Sequence, residues 1–331
     1  MAEPLRIGLV GAGWVTQHHL RGWAAQVGRA RVVAIADPSE QAARTRAEAF
    51  GIPAVHPSAE AMLANETLDA IDIAAPREWH ASLVRLAAAH GLPTLCQKPL
   101  ATNLEEAEAL VAELGATRLM VHENWRFRRY YRDAAQWIRE GRVGVVQQCM
   151  MTLLASGLIP APDGTLPTLQ RQPFFATLDR LLVSEVLIHQ LDTLRTLLGE
   201  LTVVDSRLGR VCPDVRGEDN AAITMRAASG AAVTLIGNLA AHGYPAVLAD
   251  ELLVVGDRGT LRLSGNVLEC IGPAAARQEY DMEACYRDSY RDVIAHFIDA
   301  LQSGGAFETS PADNLRTLRL VEDSYRRAGG S

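Results

Sequence analysis

The sequence predicts an α/β fold in its first part, a doubly wound parallel sheet with helices on both faces, and an α+β fold in its second, built on an open, mainly antiparallel sheet. Two observations carry this. Up to about residue 124, short β-branched runs alternate with alanine-rich stretches whose apolar residues recur at helical spacing, the pattern of a sheet with crossover helices. Beyond that point β runs follow one another with hairpin signals between them, which favours antiparallel pairing. A chain of 331 residues exceeds one average domain, so two are expected, at 1–124 and 125–331.

In the first part, strands are expected at residues 6–10, 32–36, 70–74, 93–96 and 119–121, each bounded by a turn signal. Helices fill the gaps at 41–50 and 80–90. Thr102, Asn103, Leu104 and Glu105 form a capping-box sequence that starts another helix, running to residue 114. The second part opens with a helix over 131–140 and a strand over 145–153. A proline- and glycine-rich loop over 156–173 and a helix over 184–198 come next. Strands follow at 203–211, 221–226, 231–238, 251–255, 260–263 and 267–271, with a hairpin turn at 256–259. Helices over 287–301 and 312–327 close the chain.

Composition narrows the function. The chain is 48% hydrophobic and 21% charged with a formal net charge of −7, and its one basic run, residues 126–132, is short and broken by aromatics, which argues against nucleic-acid binding. No apolar run approaches the roughly 20 residues that span a bilayer, and the apolar start is interrupted by Arg6 and thinned by glycines, so it reads as a buried strand rather than a signal peptide. The five cysteines (Cys96, Cys149, Cys212, Cys270, Cys285) show no paired or metal-ligand spacing; they are expected as free thiols in a reducing cytoplasm, with no metal site.

Four clusters carry chemistry. Gly11, Gly13, Trp14 and Val15 follow the first strand and open a helix, the setting in which a glycine-rich loop cradles a pyrophosphate, although Thr16 stands where a third glycine is expected. Asp37 ends the second strand 24 positions after Gly13, where a carboxylate can accept from ribose hydroxyls and repel a 2′-phosphate, so NAD is favoured over NADP. Gln97, Lys98 and Pro99 lie at the carboxyl end of another strand, where Lys98 is either a solvated loop lysine or an ammonium whose pKa partial desolvation lowers far enough for its neutral amine to serve as a general base. On the helix of residues 184–198, Glu185, His189 and Asp192 are spaced to share one face, either as a catalytic set or as a structural histidine paired with Asp192.

With Ala74, Ala75 and Pro76 followed by His80, then Asn124, Trp125, Arg126 and Phe127, and the late run of residues 314–318, these motifs extend over most of the chain in one order. In that order the chain resembles the glucose-fructose oxidoreductase, inositol dehydrogenase and rhizopine-catabolism group, the Gfo/Idh/MocA family. The resemblance implies a Rossmann domain for the nicotinamide cofactor and a second domain supplying the substrate wall and often the oligomer contact. It makes Lys98 the general base or hydroxyl clamp, His189 its catalytic partner, and Glu185, in place of the usual aspartate, a binder of substrate hydroxyls. It sets Ala75, Pro76, His80, Gln97, Lys98 and Asn124 beside the dinucleotide and Arg126 near nicotinamide or substrate. The family commonly has glutamate at the position of Gln97, so the anion that would keep Lys98 protonated is missing, which makes Lys98 a readier base. A cis Lys98-Pro99 bond is also implied.

The expected reaction is reversible oxidation of a secondary hydroxyl on a sugar, sugar acid or cyclitol, with Arg126, Arg171 and Asp192 among the substrate contacts and a homodimer or homotetramer as the assembly. Two alternatives stay open from sequence: an isomerase or lyase that retains NAD and oxidises only transiently, and a catalytically silent sensor of sugar or nucleotide.

Overall fold

The computed structural model describes residues 3–115, 117–247 and 249–329, and they divide into two compact units. The first comprises residues up to 128 together with 286–318. Its strands are β1 (Leu5–Val10), β2 (Ala30–Ala36), β3 (Ala54–His56), β4 (Ala70–Ile73), β5 (Thr94–Gln97) and β6 (Leu119–His122). They pair in parallel in the order β3-β2-β1-β4-β5-β6. Helices α1 (Thr16–Ala24), α2 (Glu40–Phe50), α3 (Ala59–Asn65), α4 (His80–Ala89) and α5 (Leu104–Leu114) make the crossovers. The order reverses direction beside β1, so the chain leaves β1 and β4 to opposite sides and opens a crevice at their carboxyl ends, where ligands bind in such sheets.

Local chemistry sets the element ends. Ser39 caps α2 by accepting from Ala42 N–H, and Gly51, at φ 67°, ends it in the left-handed region. At α5 the cap is Asn103, which accepts from Glu106 N–H at 2.9 Å, while Glu106 reaches back to Thr102 N–H at 3.2 Å and Thr102 Oγ1 at 2.9 Å. The helix starts where the capping-box sequence puts it, but Asn103 and Glu106 do the capping, one residue later than Thr102 and Glu105. The sequence pattern omits β3 and α3: with three residues, Ala54, Val55 and His56, the strand is too short to show alternation.

The core of this unit draws on residues far beyond 124. Ile7, Leu9, Ile35, Leu95 and Met120 from the sheet side share one cluster with Val293, Ile294, Phe297 and Ile298 from α9 (Met282–Ser303). Phe297 stacks on Phe307 with ring centroids 5.3 Å apart and meets Trp23 edge-on. Burial of apolar area is non-directional and indifferent to separation along the chain, so a late amphipathic helix can complete an early core. A cut at one point in the sequence cannot represent this. Residues 286–318, expected in the second domain, belong to the first unit.

The second unit comprises residues 129–285 and the chain from 319 onward. Strands β7 (Val146–Leu154), β8 (Leu201–Gly209), β9 (Asn220–Ala227), β10 (Ala232–Asn238), β11 (Ala249–Gly256), β12 (Thr260–Ser264), β13 (Val267–Ile271) and β14 (Ala276–Glu279) form one sheet in the order β14-β13-β12-β11-β7-β10-β9-β8. All neighbours are antiparallel except β7 with β10. Register aligns Met151, Leu235, Leu252, Leu263 and Ile223 on one buried face, while Met150, Val204 and Ile271 are exposed. The polar edge strand β14 was not expected from its sequence, Ala276, Arg277, Gln278 and Glu279; such edges discourage pairing with other chains. Helices α6 (Arg129–Arg139), α7 (Pro167–Arg171) and α8 (Ile188–Leu198) precede the run of strands, α7 lying inside the segment expected as loop. The last helix of the chain is α10 (Pro311–Ala328).

Candidate active site

Because the first sheet is parallel, the carboxyl ends of its strands share one edge. That edge gathers the sequence-predicted residues of this unit: Gly11 to Val15 after β1, Asp37 after β2, Ala75, Pro76 and His80 after β4, Gln97 and Lys98 at the end of β5, and Asn124 after β6. Gly11 is required by the fold. Its φ is +105° and a Cβ would lie 2.5 Å from Ala74 O. Gly13 is different, since its φ is ordinary and a Cβ would meet no protein atom within 4 Å. No described protein atom requires glycine there, and the open backbone leaves room for a ligand to lie against it. Helix α1, which starts just beyond, has no side-chain cap and no acid in its first turn, so its amides and dipole are available to an anion.

Asp37 supports the same reading. Its Oδ2 accepts Ala12 N–H at 2.7 Å and its Oδ1 accepts Ser39 N–H at 2.8 Å. The turn role and the ligand role coexist, because each carboxylate oxygen keeps a lone pair for a ribose hydroxyl. Arg46 on α2, which sequence reasoning missed, donates to Gly13 O at 3.0 Å and to Ala12 O at 3.4 Å, holding the loop from outside. These groups fit a dinucleotide: a pyrophosphate at Gly11, Gly13 and the start of α1, and ribose hydroxyls at Asp37.

His80 links two turns on this edge. Its Nδ1 lies 2.6 Å from Pro99 O and its Nε2 2.9 Å from Ala75 O. Carbonyls only accept, so a neutral ring can satisfy one of the two and an imidazolium both. The Lys98-Pro99 bond is cis, as the resemblance implies. Gln97 is held by two contacts. Its Oε1 accepts Lys98 N–H at 2.7 Å and its Nε2 lies 3.1 Å from His19 Nε2, so the side chain is engaged with the backbone and with His19. The neighbouring Cys96 is wholly buried, and burial, then Asp72, pushes its thiol well above the usual range, which leaves it unreactive.

Around α1 the rings of Trp14, His18, Tyr286 and Tyr290 form a cluster: His18 lies 4.7 Å from Trp14 and stacks on Tyr290 at 5.1 Å. Burial, with the nearby cations Arg21 and Arg46, lowers the pKa of His18 to about 4, so it is neutral at pH 7. Two expected contacts turn inward. Arg126 is 5% exposed and donates to Asp313 at 2.7 Å, with Glu308 at 3.8 Å; buried Asn124 donates to Ser289 Oγ at 2.8 Å. Both side chains are engaged inside their own unit rather than presented outward.

In the second unit, Glu185 and His189 lie on a segment with a built anchor. Residues Leu182–Leu187 form one π-turn that runs into α8, a local widening often found at functional sites. Glu218 sits at its start: its carboxylate accepts Leu181 N–H at 3.3 Å, Val183 N–H at 2.9 Å and the Tyr325 hydroxyl at 2.5 Å. A carboxylate at a helix N-terminus is favoured by the exposed amides and the dipole. Tyr325 is held well above its usual pKa by burial and by Glu218, and its oxygen accepts Ser184 N–H at 3.3 Å. From below, Gly237 on β10 lets the segment settle onto the sheet, since a Cβ there would come within 2.8 Å of Leu187. Gln190, just beyond His189, donates to buried Asp250, which also accepts from Tyr131. Asp192 is 1% exposed and 3.9 Å from Arg195, while Arg171 is exposed at the end of α7.

The comparisons with known proteins agree with this geometry. The profile of the oxidoreductase family with an NAD-binding Rossmann fold matches residues 5–124, and that of the GFO/IDH/MocA C-terminal domain matches 131–262. The chain belongs to the Gfo/Idh/MocA oxidoreductase family. A D-apiose dehydrogenase from Paraburkholderia graminis is 32% identical, covering 97% of this chain and 86% of the relative. An inositol 2-dehydrogenase from Rhizobium meliloti is 26% identical, covering 97% and 96%. Among solved structures, an oxidoreductase from Agrobacterium radiobacter in complex with NAD+, L-tartaric acid and magnesium superposes with a TM-score of 0.91 at 30% identity, covering 98% of this chain and 96% of that one. The protein is an NAD-dependent oxidoreductase of this family, and no helix among the described residues is long and apolar enough to cross a membrane.

Proposed function

We propose that the protein oxidises a secondary hydroxyl of a sugar, sugar acid or cyclitol, with Lys98 as the group that takes the hydroxyl proton. One observation carries this assignment: Lys98 is the single lysine among the chain's 32 lysine and arginine residues. Arginine stays protonated and cannot act as a base. A sequence that uses arginine for every other cation keeps a titratable amine at one place, the edge of the sheet that carries the dinucleotide-binding turns. The names of the relatives, D-apiose and inositol dehydrogenases, support a polyhydroxylated substrate.

In the oxidative direction the neutral amine of Lys98 accepts the hydroxyl proton, and in the reductive direction its ammonium returns it. When bound, the nicotinamide supplies the hydride acceptor. The family resemblance assigns His189 as partner in this proton transfer and Glu185, with Asp192 and Arg171, to substrate binding; the anchoring of the Glu185 turn by Glu218 supports a fixed position for the first two. The resemblance also sets Arg126 near the nicotinamide or substrate and Asn124 beside the dinucleotide, with Asp313 and Ser289 holding their side chains. The exposed sheet face with Met150, Val204 and Ile271 supports a homodimer or homotetramer, which light scattering would read directly. Five buried cysteines, none in a disulfide among the described residues, support a cytoplasmic protein.

The test is NAD+ reduction with D-apiose and with myo-inositol, in wild type and Lys98→Met. Oxidation of either polyol by wild type and its loss in the variant is the expected result. Unchanged turnover in Lys98→Met would remove the assignment.

A further inference from the structure

Asp72 is a charged residue at the centre of the first sheet, with no exposure, on a strand that is otherwise apolar. Its Oδ2 accepts Trp23 Nε1–H at 2.7 Å, and His19 Nδ1, equally buried, lies 2.9 Å from the same oxygen. On the far side of the imidazole, His19 Nε2 faces Gln97 Nε2 at 3.1 Å, and Gln97 Oε1 faces Lys98 N–H at 2.7 Å. His122 stacks on the His19 ring at 4.2 Å.

The proton positions follow from donor and acceptor chemistry alone. A backbone N–H only donates, so the Gln97 atom facing Lys98 is the oxygen. The Gln97 nitrogen, which only donates, therefore faces His19, and His19 Nε2 accepts. The remaining ring proton is on Nδ1 and points at the Asp72 carboxylate. We propose that Asp72, His19 and Gln97 form a relay of defined polarity, holding His19 as the neutral Nδ1–H tautomer and fixing the backbone from which the Lys98 side chain departs. These are positioning residues, and their relevance to turnover rests on the role given above to Lys98. Each member has one way to bond, so the amide of Lys98 has one orientation.

This gives Gln97 a meaning. A glutamate there would still accept Lys98 N–H through one oxygen, but its other oxygen would require a donor from His19. The ring, between two carboxylates, would take a second proton. The amide at position 97 thus selects the neutral ring. The other groups facing His19 are His122 on β6 and Tyr290 on α9, whose ring lies 5.7 Å away, with His18 adjacent on α1. None of them reaches a ring nitrogen in place of Asp72 or Gln97.

The experiment is nitrogen-15 histidine NMR of the full chain at pH 7, with the nine histidines assigned through their backbone amides. Wild type is expected to show His19 neutral with the proton on Nδ1; an imidazolium or the Nε2–H tautomer would overturn the relay without any variant. Gln97→Glu is expected to give an imidazolium. Asp72→Asn combined with Gln97→Glu, which exchanges the amide and the carboxylate, is expected to give the opposite neutral tautomer. Positioning is read on the Lys98 amide proton, which should exchange roughly tenfold faster in His19→Phe, the equivalent of one lost hydrogen bond; an unchanged rate would refute that half. In the kinetic arm, with D-apiose or myo-inositol, His19→Phe should lower kcat on the order of 10²-fold while the KM for NAD+ stays within about twofold. If wild type oxidises neither polyol, the dehydrogenase substrate assignment fails, and the NMR arm still decides the relay.

Discussion

At the scale of the residue, the proposed function turns on Lys98 and Asp37. Removing the amine with Lys98→Met should lower kcat/KM by about 10³-fold, within the span expected for general acid-base catalysis. NADH should still quench the fluorescence of Trp14, which is 42% exposed in the dinucleotide loop. Loss of NADH binding in that variant would make Lys98 a cofactor residue rather than a base. Asp37→Ser removes the negative charge that disfavours a 2′-phosphate, so the NADH to NADPH affinity ratio should fall by roughly tenfold or more. The same change weakens the bond from Ala12 N–H, so the melting temperature should fall as well; an unchanged cofactor ratio would separate Asp37 from cofactor selection. His18 provides a pH test. Its pKa falls from 6.5 to about 4 on folding, chiefly through burial, so between those values the unfolded chain binds more protons and stability declines as pH drops. Across that window His18→Asn should show a shallower loss of melting temperature than wild type, and parallel curves would contradict the burial argument.

Elements differ in how much of them the sequence discloses. The glycine loop, Asp37 and Lys98 are legible because each sits at a strand end that short apolar runs and turn residues mark. The parallel order of those strands then brings the ends together. Asp72 carries a signal in the sequence itself: a carboxylate inside the run Ala70, Ile71, Asp72, Ile73 contradicts a strand buried on both faces unless it has partners. The partners, His19 and Trp23, are distant in sequence and gave no local pattern. The ion pairs of Arg126 are hidden for the same reason, because its acidic partners Asp313 and Glu308 lie far along the chain and the sequence shows a lone cation beside aromatics. Glu218 and Tyr325, which fix the Glu185 turn, were likewise invisible. They carry a prediction. Glu218→Gln leaves the shape but removes the charge at the helix start, which should cost about 1–2 kcal/mol of stability. It should lower kcat for the polyol through the displaced Glu185 and His189 while NADH affinity is unchanged, since the dinucleotide-binding turns belong to the other unit. A fall in NADH affinity equal to the fall in kcat would show that the anchor is not specific to the substrate residues.

For the molecule as a whole, the consequence lies in the chain's return to the first unit after completing the second sheet. Residues 5–124 contain every strand of the parallel sheet and the whole dinucleotide fingerprint, which suggests a self-sufficient module. The core says otherwise. Val293, Ile294, Phe297 and Ile298 are each completely buried in the cluster that contains Ile7, Leu9 and Leu95, and an apolar side chain of this size stabilises by about 1.5–3 kcal/mol on burial. Four such residues amount to as much as the net stability of an ordinary domain, about 5–15 kcal/mol. A fragment ending at residue 124 should therefore lack a cooperative thermal transition and should not quench with NADH, despite carrying Gly11, Gly13 and Asp37. In the full chain, Phe297→Ala should destabilise this unit by about 3–5 kcal/mol and lower its melting temperature with NADH absent, although residue 297 is far in sequence from the dinucleotide loop. Saturating NADH should recover part of that loss by binding only the folded form. A 1–124 fragment that melts cooperatively and binds NADH would show that the parallel sheet closes its own core, and that residues 286–318 cover it without being needed for its fold.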